Sequence, residues 1–425
     1  MSATHPPASA ADQLATPRAQ WLVLTAAFLG WMFDGLEMGI FPLIARPALQ
    51  SMFPPSGTGN PEAFVSAWMS YITALFLVGA ALGGLAFGWL GDRVGRVRAM
   101  MLSILTYSIF TGLCFFAQTP WHLGGLRFIA AFGMGGEWAL GVALVMETWP
   151  RDKRPLLAGV IGAASNVGYL LIALLGFYFK ITRDSWRWVM IAGTAPALLG
   201  IAIQLVVPES QRWKEAVKES AARPVREIFS GHLLKTTLLA IAFSSVALVG
   251  TWGSVQWLPL WADQLTGGQI PTAKAATLLV AASGAVVGCL IGALMAGRIG
   301  RRPAYFGLCL ASLVICGCLY RFVASYGPLF LVLVGVVGAA TAAFYGWLPL
   351  YLPELFPTRV RATGQGLGYN FGRILAAVGA LVQGRLVGYY EGSYAKAGAT
   401  VTLIYIVGMV LIWLAPETKD RSLPD

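Results

Sequence analysis

The sequence predicts an all-α membrane protein: twelve transmembrane helices in two pseudo-symmetric six-helix bundles. Three observations predict it. The first is composition. Of 425 residues, 57% are hydrophobic and 12% charged, and the mean hydropathy is +0.68; soluble domains usually carry about 25% charged residues. The second is spacing. Apolar runs of roughly 20 residues, each able to cross about 30 Å of hydrocarbon, recur along the whole chain. The third is an internal repeat. Glu147-Thr148-Trp149-Pro150-Arg151-Asp152-Lys153-Arg154 is echoed by Glu354-Leu355-Phe356-Pro357-Thr358-Arg359-Val360-Arg361. Gly91-Asp92-Arg93-Val94-Gly95-Arg96 answers Ala296-Gly297-Arg298-Ile299-Gly300-Arg301, and Pro208-Glu209-Ser210 answers Pro416-Glu417-Thr418. Repetition at half the chain length in an apolar background predicts a duplicated bundle.

The elements follow in order. Residues 1–19 are rich in Ala, Pro and Ser and are expected to form a disordered tail. They lack a cleavage site, and the first span is too long for the apolar core of a secretory signal. The N-terminal bundle is expected over 20–207, with spans at 20–45, 66–90, 98–117, 121–148, 155–179 and 187–207. A polar linker, 208–232, follows. The C-terminal bundle is expected over 233–416, with spans at 233–262, 271–298, 303–323, 327–352, 360–388 and 398–416, before a tail at 417–425. The 50 glycines suit close helix packing in lipid.

With the N-terminus in the cytoplasm, most of the 30 basic residues fall in cytoplasmic loops, as the positive-inside rule requires. This predicts a multi-pass plasma (bacterial inner) membrane protein with both termini cytoplasmic. The net charge of +11 then belongs to helix ends facing an anionic leaflet, and no nucleic-acid module is present. Cys114, Cys289, Cys309, Cys316 and Cys318 all fall within spans and read as buried packing residues, neither metal ligands nor disulfides. His5, His122 and His232 lie in the tail or at helix ends, and no nucleophile–base set is visible. An enzyme, a metal site and a cofactor are therefore not expected. Gly364-Gln365-Gly366-Leu367-Gly368 follows no strand and reads as helix packing.

The loop motif Gly88-Trp89-Leu90-Gly91-Asp92-Arg93-Val94-Gly95-Arg96-Val97-Arg98 joins spans 2 and 3. Its glycines permit a tight turn, and Asp92 is suited to cap a neighbouring helix N-terminus. This pattern resembles the loop 2–3 signature of the major facilitator superfamily, and the resemblance covers nearly the whole chain. Arg127-Phe128-Ile129-Ala130-Ala131-Phe132-Gly133-Met134-Gly135-Gly136-Glu137-Trp138 resembles the fourth helix of its metabolite:proton symporters. Trp31-Met32-Phe33-Asp34-Gly35-Leu36-Glu37 resembles the first helix of the sialate:proton symporters, which include lactate carriers, and of the aromatic acid:proton symporters. Those families more often have a second aspartate where this chain has Glu37. Pro208-Glu209-Ser210 and Pro416-Glu417-Thr418 resemble helix ends of the sugar-porter-like branch. The resemblance implies a monomeric carrier working by alternating access.

Ionisable groups inside the bilayer cost roughly 2.5–3.5 kcal/mol each on insertion scales, so each should have a partner or a task. Asp34 and Glu37 lie about one turn apart on one helix, where repulsion raises the proton affinity of one of them. With Glu137 they are the candidate proton-coupling acids, with no choice made among them. Arg127 is expected to pair with Glu37 or Asp34 and to border the substrate site. Arg373, near the centre of span 11, is the candidate anchor for a substrate carboxylate, which an arginine can hold with two parallel hydrogen bonds. Asn166 occupies the repeat-equivalent position. Asn370, Tyr345, Trp347 and Gln256 complete the candidate pocket. Asp92, Arg93, Arg96, Glu147, Arg154, Glu354 and Arg361 are the candidate gate, a charge relay that zips and unzips the two halves.

The expected function is proton-coupled symport of a small organic anion, a monocarboxylate such as lactate, sialate or an aromatic acid. The alternatives are a sugar or polyol:proton symporter, a drug or cation:proton antiporter and, last, a non-transporting receptor.

Overall fold

The computed structural model describes residues 16–53, 61–179, 181–219, 223–267, 269–270 and 272–424. Every regular element among them is helical. Helix α1 (Pro17–Ser51) begins where Thr16 Oγ1 accepts from the Ala19 N–H at 3.4 Å, with Pro17 in the first turn, where its missing N–H costs nothing. It therefore starts inside the expected tail. The rest of that tail, residues 1–15, lies outside the described residues, as do His5 and the His232 side chain. Next come α2 (Pro61–Val94), α3 (Arg96–Leu113), α4 (Pro120–Thr148) and α5 (Arg154–Tyr178). The sixth span is not continuous. It divides into α6 (Trp186–Ala192) and α7 (Pro196–Val206), because Pro196 cannot donate back into a preceding turn.

The linker is partly helical, as α8 (Gln211–Glu219) and α9 (Pro224–Ile228); its residues 220–222 lie outside the described residues. The second half runs α10 (Gly231–Gly253), α11 (Leu258–Thr266), α12 (Ala273–Ile299), α13 (Arg301–Phe322), α14 (Pro328–Leu355), α15 (Arg361–Tyr389), α16 (Tyr394–Val401) and α17 (Ile404–Leu411). The expected spans 233–262 and 398–416 are thus each broken, the first by a short 3-10 turn over Val255–Trp257 ahead of Pro259.

Among the described residues, 11 helical stretches are long and apolar enough to cross a membrane. The expected span 360–388 exists as α15, which carries the polar residues Gln365, Asn370 and Arg373. All three are buried against protein, so lipid never meets them. Cys114, Cys289, Cys309 and Cys316 are buried, whereas Cys318 is only half-buried.

The repeat has a structural cause. One glycine separates α2 from α3 and α12 from α13: Gly95 at φ +112 and Gly300 at φ +103, a region that side chains disfavour. Neither following helix carries its own side-chain cap. A distant glutamate supplies one instead. Glu209 accepts the main-chain N–H groups of Arg96 and Val97 at 3.0 and 3.1 Å. Glu417 accepts those of Arg301 and Arg302, both at 3.0 Å. The Pro-Glu-Ser/Thr echo is thus a helix cap delivered from the end of each half, where negative charge meets the helix dipole. Burial pushes the Glu209 carboxyl above its ordinary range despite three main-chain donors. Burial also acts on Glu417, but four main-chain donors outweigh it and hold that carboxyl below its ordinary range.

Within the first half, α1 packs on α5, and α2 and α3 pack on α4; in the second, α10 packs on α15 and α12 on α14. Two seams join the halves, α2 against α15 and α5 against α12. Helix α5 also packs closely on α14: a methyl added to Gly162 would lie 2.1 Å from the Tyr345 carbonyl oxygen.

Candidate functional site

Between the halves lies a cavity with about 510 Å³ of empty space, its open mouth included. That is within the range of small-molecule sites. Its walls come from α1 (Trp31, Met38), α5 (Ser165, Asn166, Tyr169), α10 (Leu248, Thr251, Trp252), the α10–α11 break (Gln256), α14 (Tyr345) and α15 (Tyr369, Arg373). Arg373 is 3% exposed, and its Nη1 has no hydrogen-bond partner among the described residues. Its guanidinium carbon stands 5.5 Å from the Tyr369 ring centroid. A buried guanidinium with a free edge, walled by aromatic rings, suits a carboxylate attached to a compact body.

The three membrane acids part company. Arg127 pairs with Glu37, which also accepts from Thr111 Oγ1 at 2.8 Å. The guanidinium of Arg127 stacks 4.8 Å from the Phe76 ring. Glu37 is therefore held through Oε1 by an ion pair and a hydroxyl. Asp34, one turn earlier, turns instead toward Glu137 on α4. Both are buried, at 0% and 1% exposure, and no donor among the described residues reaches either carboxyl. Gly30 makes room for this arrangement: a methyl there would lie 1.5 Å from Glu137 Oε1. Two facing carboxyls cannot both be charged without large repulsion, and a proton held between them would satisfy one oxygen of each.

Aromatic rings bridge the acids and the cavity. Trp138, next to Glu137, stacks on Tyr369 at 4.1 Å and 19°. Trp31 meets Tyr369 edge-on at 6.2 Å. Tyr369 in turn lies one turn before Arg373, which is within electrostatic reach of Asp34.

The cavity is sealed at the end where the repeat motifs lie. Asp92 caps α15 across the seam, accepting from the N–H groups of Ala362 and Thr363 at 3.2 and 2.8 Å and from Thr363 Oγ1 at 2.5 Å. Arg96 binds Asp92 at 2.9 Å and Glu147 at 3.2 Å, and donates to the Thr358 carbonyl at 2.7 Å. Arg361 joins Glu147 at 2.9 Å and donates to the Pro424 carbonyl at 2.7 Å. In the second half, Glu354 binds Arg301 at 2.6 Å and accepts from Thr418 Oγ1 at 2.6 Å.

Several expected members fall elsewhere. Arg127 does not line the cavity, because Glu37 holds it in the first bundle. Trp347 is buried in the second bundle, where its Nε1 donates to the Arg301 carbonyl at 2.9 Å. Asn370 faces the α2–α15 seam and donates to the Gly135 carbonyl at 2.9 Å. Arg93 stays exposed, over the Trp89 ring at 4.8 Å, outside the sealed network. Arg154 is buried beside Glu354 but makes no ion pair with it or with Glu147 among the described residues. Arg373, Asn166, Tyr345 and Gln256 do meet in one cavity. Tyr169 and Tyr369 were not among the expected pocket residues. Helical spacing carried the signal: each lies three or four positions from a polar cavity residue, Asn166 or Arg373. Arg301, Thr358, Thr418 and Ser210, whose hydroxyl donates to Glu147, are likewise absent from the expected gate, although the repeat aligns Arg301 with Arg96 and Thr418 with Ser210.

The chain resembles known proteins along most of its length. The family described as Major Facilitator Superfamily matches residues 23–380. The inner membrane metabolite transport protein YgcS of Escherichia coli K12 is 32% identical over 381 residues, covering 82% of each chain. The cis,cis-muconate transport protein of Acinetobacter baylyi is 27% identical over 363 residues, covering 83% of this chain and 84% of its own. The solved structure of the proton:xylose symporter XylE bound to 6-bromo-6-deoxy-D-glucose superposes with a TM-score of 0.79 at 15% identity, over 95% of this chain and 97% of that one.

Proposed function

The chain belongs to the Major Facilitator Superfamily, and on that premise we propose that it carries a small organic anion together with a proton by alternating access. The observation that carries the reading is Arg373: a buried guanidinium with an unpartnered Nη1 inside the central cavity. The substrate carboxylate supplies its missing counter-charge. A neutral sugar or polyol would leave that charge uncompensated in a low-dielectric site, and a cation would be repelled by it. The relative that carries cis,cis-muconate is in keeping with an anionic substrate. A compact monocarboxylate such as lactate, a sialate or an aromatic acid fits a cavity walled by Tyr169, Tyr345, Trp31 and Trp252.

The proton is assigned to the Asp34–Glu137 pair. No donor among the described residues reaches either carboxyl, whereas Glu37 is committed to Arg127 as a structural ion pair. Protonation removes one of the two negative charges of the pair close to Arg373, so a proton bound with the anion offsets the charge that the anion brings. Closing the bilayer centre over a neutral site costs less than closing it over a charged one. The Trp138–Tyr369–Trp31 cluster is the mechanical link between the two sites. With the end sealed by Asp92, Arg96, Glu147 and Arg361 taken as cytoplasmic, in keeping with the positive-inside rule, both termini lie inside and the cavity opens outward. The halves 20–207 and 233–416 rock about the α2–α15 and α5–α12 seams, and one chain suffices as the working unit.

Proteoliposomes with an imposed inward proton gradient test this. Labelled lactate, sialate and benzoate are offered, with neutral xylose and a lipophilic cation as controls. Uphill uptake of at least one acid, abolished by a protonophore, is expected. Uptake confined to xylose or to the cation would overturn the reading.

A further inference from the structure

A second groove lies away from the substrate cavity, where the α2–α3 turn meets the linker. It has about 610 Å³ of empty space, its open mouth included, and is bounded by Val94, Val97, Arg98, Val207, Trp213 and Lys214, with Glu209 at its floor. Its chemistry is divided. Three valines form an apolar wall continuous with the outward face of α7, where Leu198 and Leu205 are 74% and 79% exposed. At the other edge stand two cations, Arg98 and Lys214, which make no hydrogen bond or ion pair among the described residues. The carboxylate of Glu209 does not answer them, because both its oxygens are occupied by the main-chain N–H groups that begin α3.

The other half of the repeat gives the contrast. There Arg302 stacks 5.0 Å from the Trp413 ring and donates to the Trp413 carbonyl at 3.0 Å. Lys419 donates to the Arg298 carbonyl at 2.7 Å. In the C-terminal half the protein satisfies its own basic groups beside the glutamate cap; in the N-terminal half it leaves them unsatisfied around an apolar-walled groove.

We propose that this groove binds an anionic phospholipid of the surrounding leaflet. The phosphate sits between Arg98 and Lys214, and an acyl chain runs along Val97 and Val207 onto α7. Basic side chains beside a membrane attract anionic headgroups, and a tryptophan at such a groove sits at the headgroup level. Trp213 also touches the sealed end: its Nε1 donates to the Asp92 carbonyl at 3.0 Å, and the Arg96 guanidinium lies 5.8 Å from its ring. A lipid wedged against Trp213 therefore steadies Asp92 and Arg96 in the closed arrangement. This proposal needs only the membrane setting; it does not depend on Arg373 or on the substrate.

Native mass spectrometry of the full-length, detergent-purified protein tests it, with phosphatidylglycerol, phosphatidylcholine and inorganic phosphate as the added probes. Phosphatidylglycerol is expected to bind, more tightly than phosphatidylcholine. An Arg98→Gln/Lys214→Gln double variant should bind it about thirty-fold more weakly, the effect of two headgroup contacts. Lys214→Arg alone should retain binding, which separates loss of charge from loss of fold, and Arg302→Gln should leave it unchanged. Millimolar inorganic phosphate should not displace the lipid. Undiminished binding in the double variant, equal binding of phosphatidylcholine, or displacement by inorganic phosphate would each overturn the lipid assignment.

Discussion

Glu147 and Arg361 meet at 2.9 Å across the seam between the two bundles, with both side chains fully buried. Their repeat counterparts, Glu354 and Arg154, form no such pair; Glu354 is held instead by Arg301 and Thr418 of its own half. One motif, present twice, thus builds one cross-seam bond and one internal bond. The reason lies next door. Asp92 reaches across to cap α15, whereas the repeat replaces Asp92 with Gly297, where an added methyl would sit 2.7 Å from the Pro155 ring. Only one of the two turns can reach across.

A double-mutant cycle should register this asymmetry. Glu147→Gln with Arg361→Gln is expected to show a coupling of about 1–3 kcal/mol, because the pair is in contact and shares a network. Glu354→Gln with Arg154→Gln should couple by less than about 0.5 kcal/mol. Thermal unfolding of the purified protein, followed by tryptophan fluorescence, measures both. Equal couplings would remove the one-sided gate.

Arg373 makes a second prediction with two opposed readouts. Arg373→Gln should abolish uptake, or raise KM at least a hundred-fold, because no other unpartnered guanidinium among the described residues lines the cavity. The same change removes an uncompensated buried charge, so apparent stability should hold or rise. Loss of both uptake and stability would instead mark Arg373 as a structural partner for Asp34. Added substrate should raise the Tm of the wild type and leave that of the variant unchanged.

The architecture was legible because it follows from bulk properties: hydropathy, helix-length apolar runs and a repeat with punctuating glycines and prolines. The candidate site was legible only in part. Arg373, Asn166 and Tyr345 stand out as polar or aromatic residues deep in apolar helices, and they do share a cavity. Helical spacing alone did not decide which way Asp34 and Glu37 turn, since one turn of separation is compatible with a shared site or with two. The choice is made by partners on other helices, Arg127 and Thr111 for Glu37, Glu137 for Asp34. Trp347 turns away from the cavity for a related reason. Nothing local distinguishes a tryptophan facing the cavity from one whose indole N–H is taken by a carbonyl of the next helix.

The two glutamate caps should respond to pH with opposite signs. Glu417 lies below its ordinary range, so its contribution is present at neutral pH and is lost as pH falls through its folded-state value. Glu417→Gln should therefore lower Tm at pH 7, with the difference shrinking toward acid. Glu209 lies above its ordinary range, so wild-type stability from this group falls as pH rises through its folded-state value. The gap between wild type and Glu209→Gln should accordingly move in favour of the variant between pH 4 and 8. Parallel pH profiles for the two variants would contradict the difference in burial between the caps.

The acids give the last and most direct prediction. If the Asp34–Glu137 pair holds the transported proton, Asp34→Asn and Glu137→Gln should each abolish uphill uptake under a proton gradient while sparing counterflow, in which no net proton moves. Each also replaces a facing carboxyl with an amide that can donate to the other, so stability should not fall. Glu37→Gln should behave differently. It leaves the buried Arg127 without its carboxylate, and removing one partner of a buried ion pair costs about 3–5 kcal/mol. Its signature is a large drop in Tm, with loss of counterflow as well as uphill uptake. Gly30→Ala supplies an independent check, since the added methyl would occupy the place of Glu137 Oε1 and should reproduce the uncoupled phenotype without altering any charge. Uncoupling by Glu37→Gln at unchanged Tm, with Asp34→Asn still concentrating substrate, would transfer the proton from the pair to Glu37.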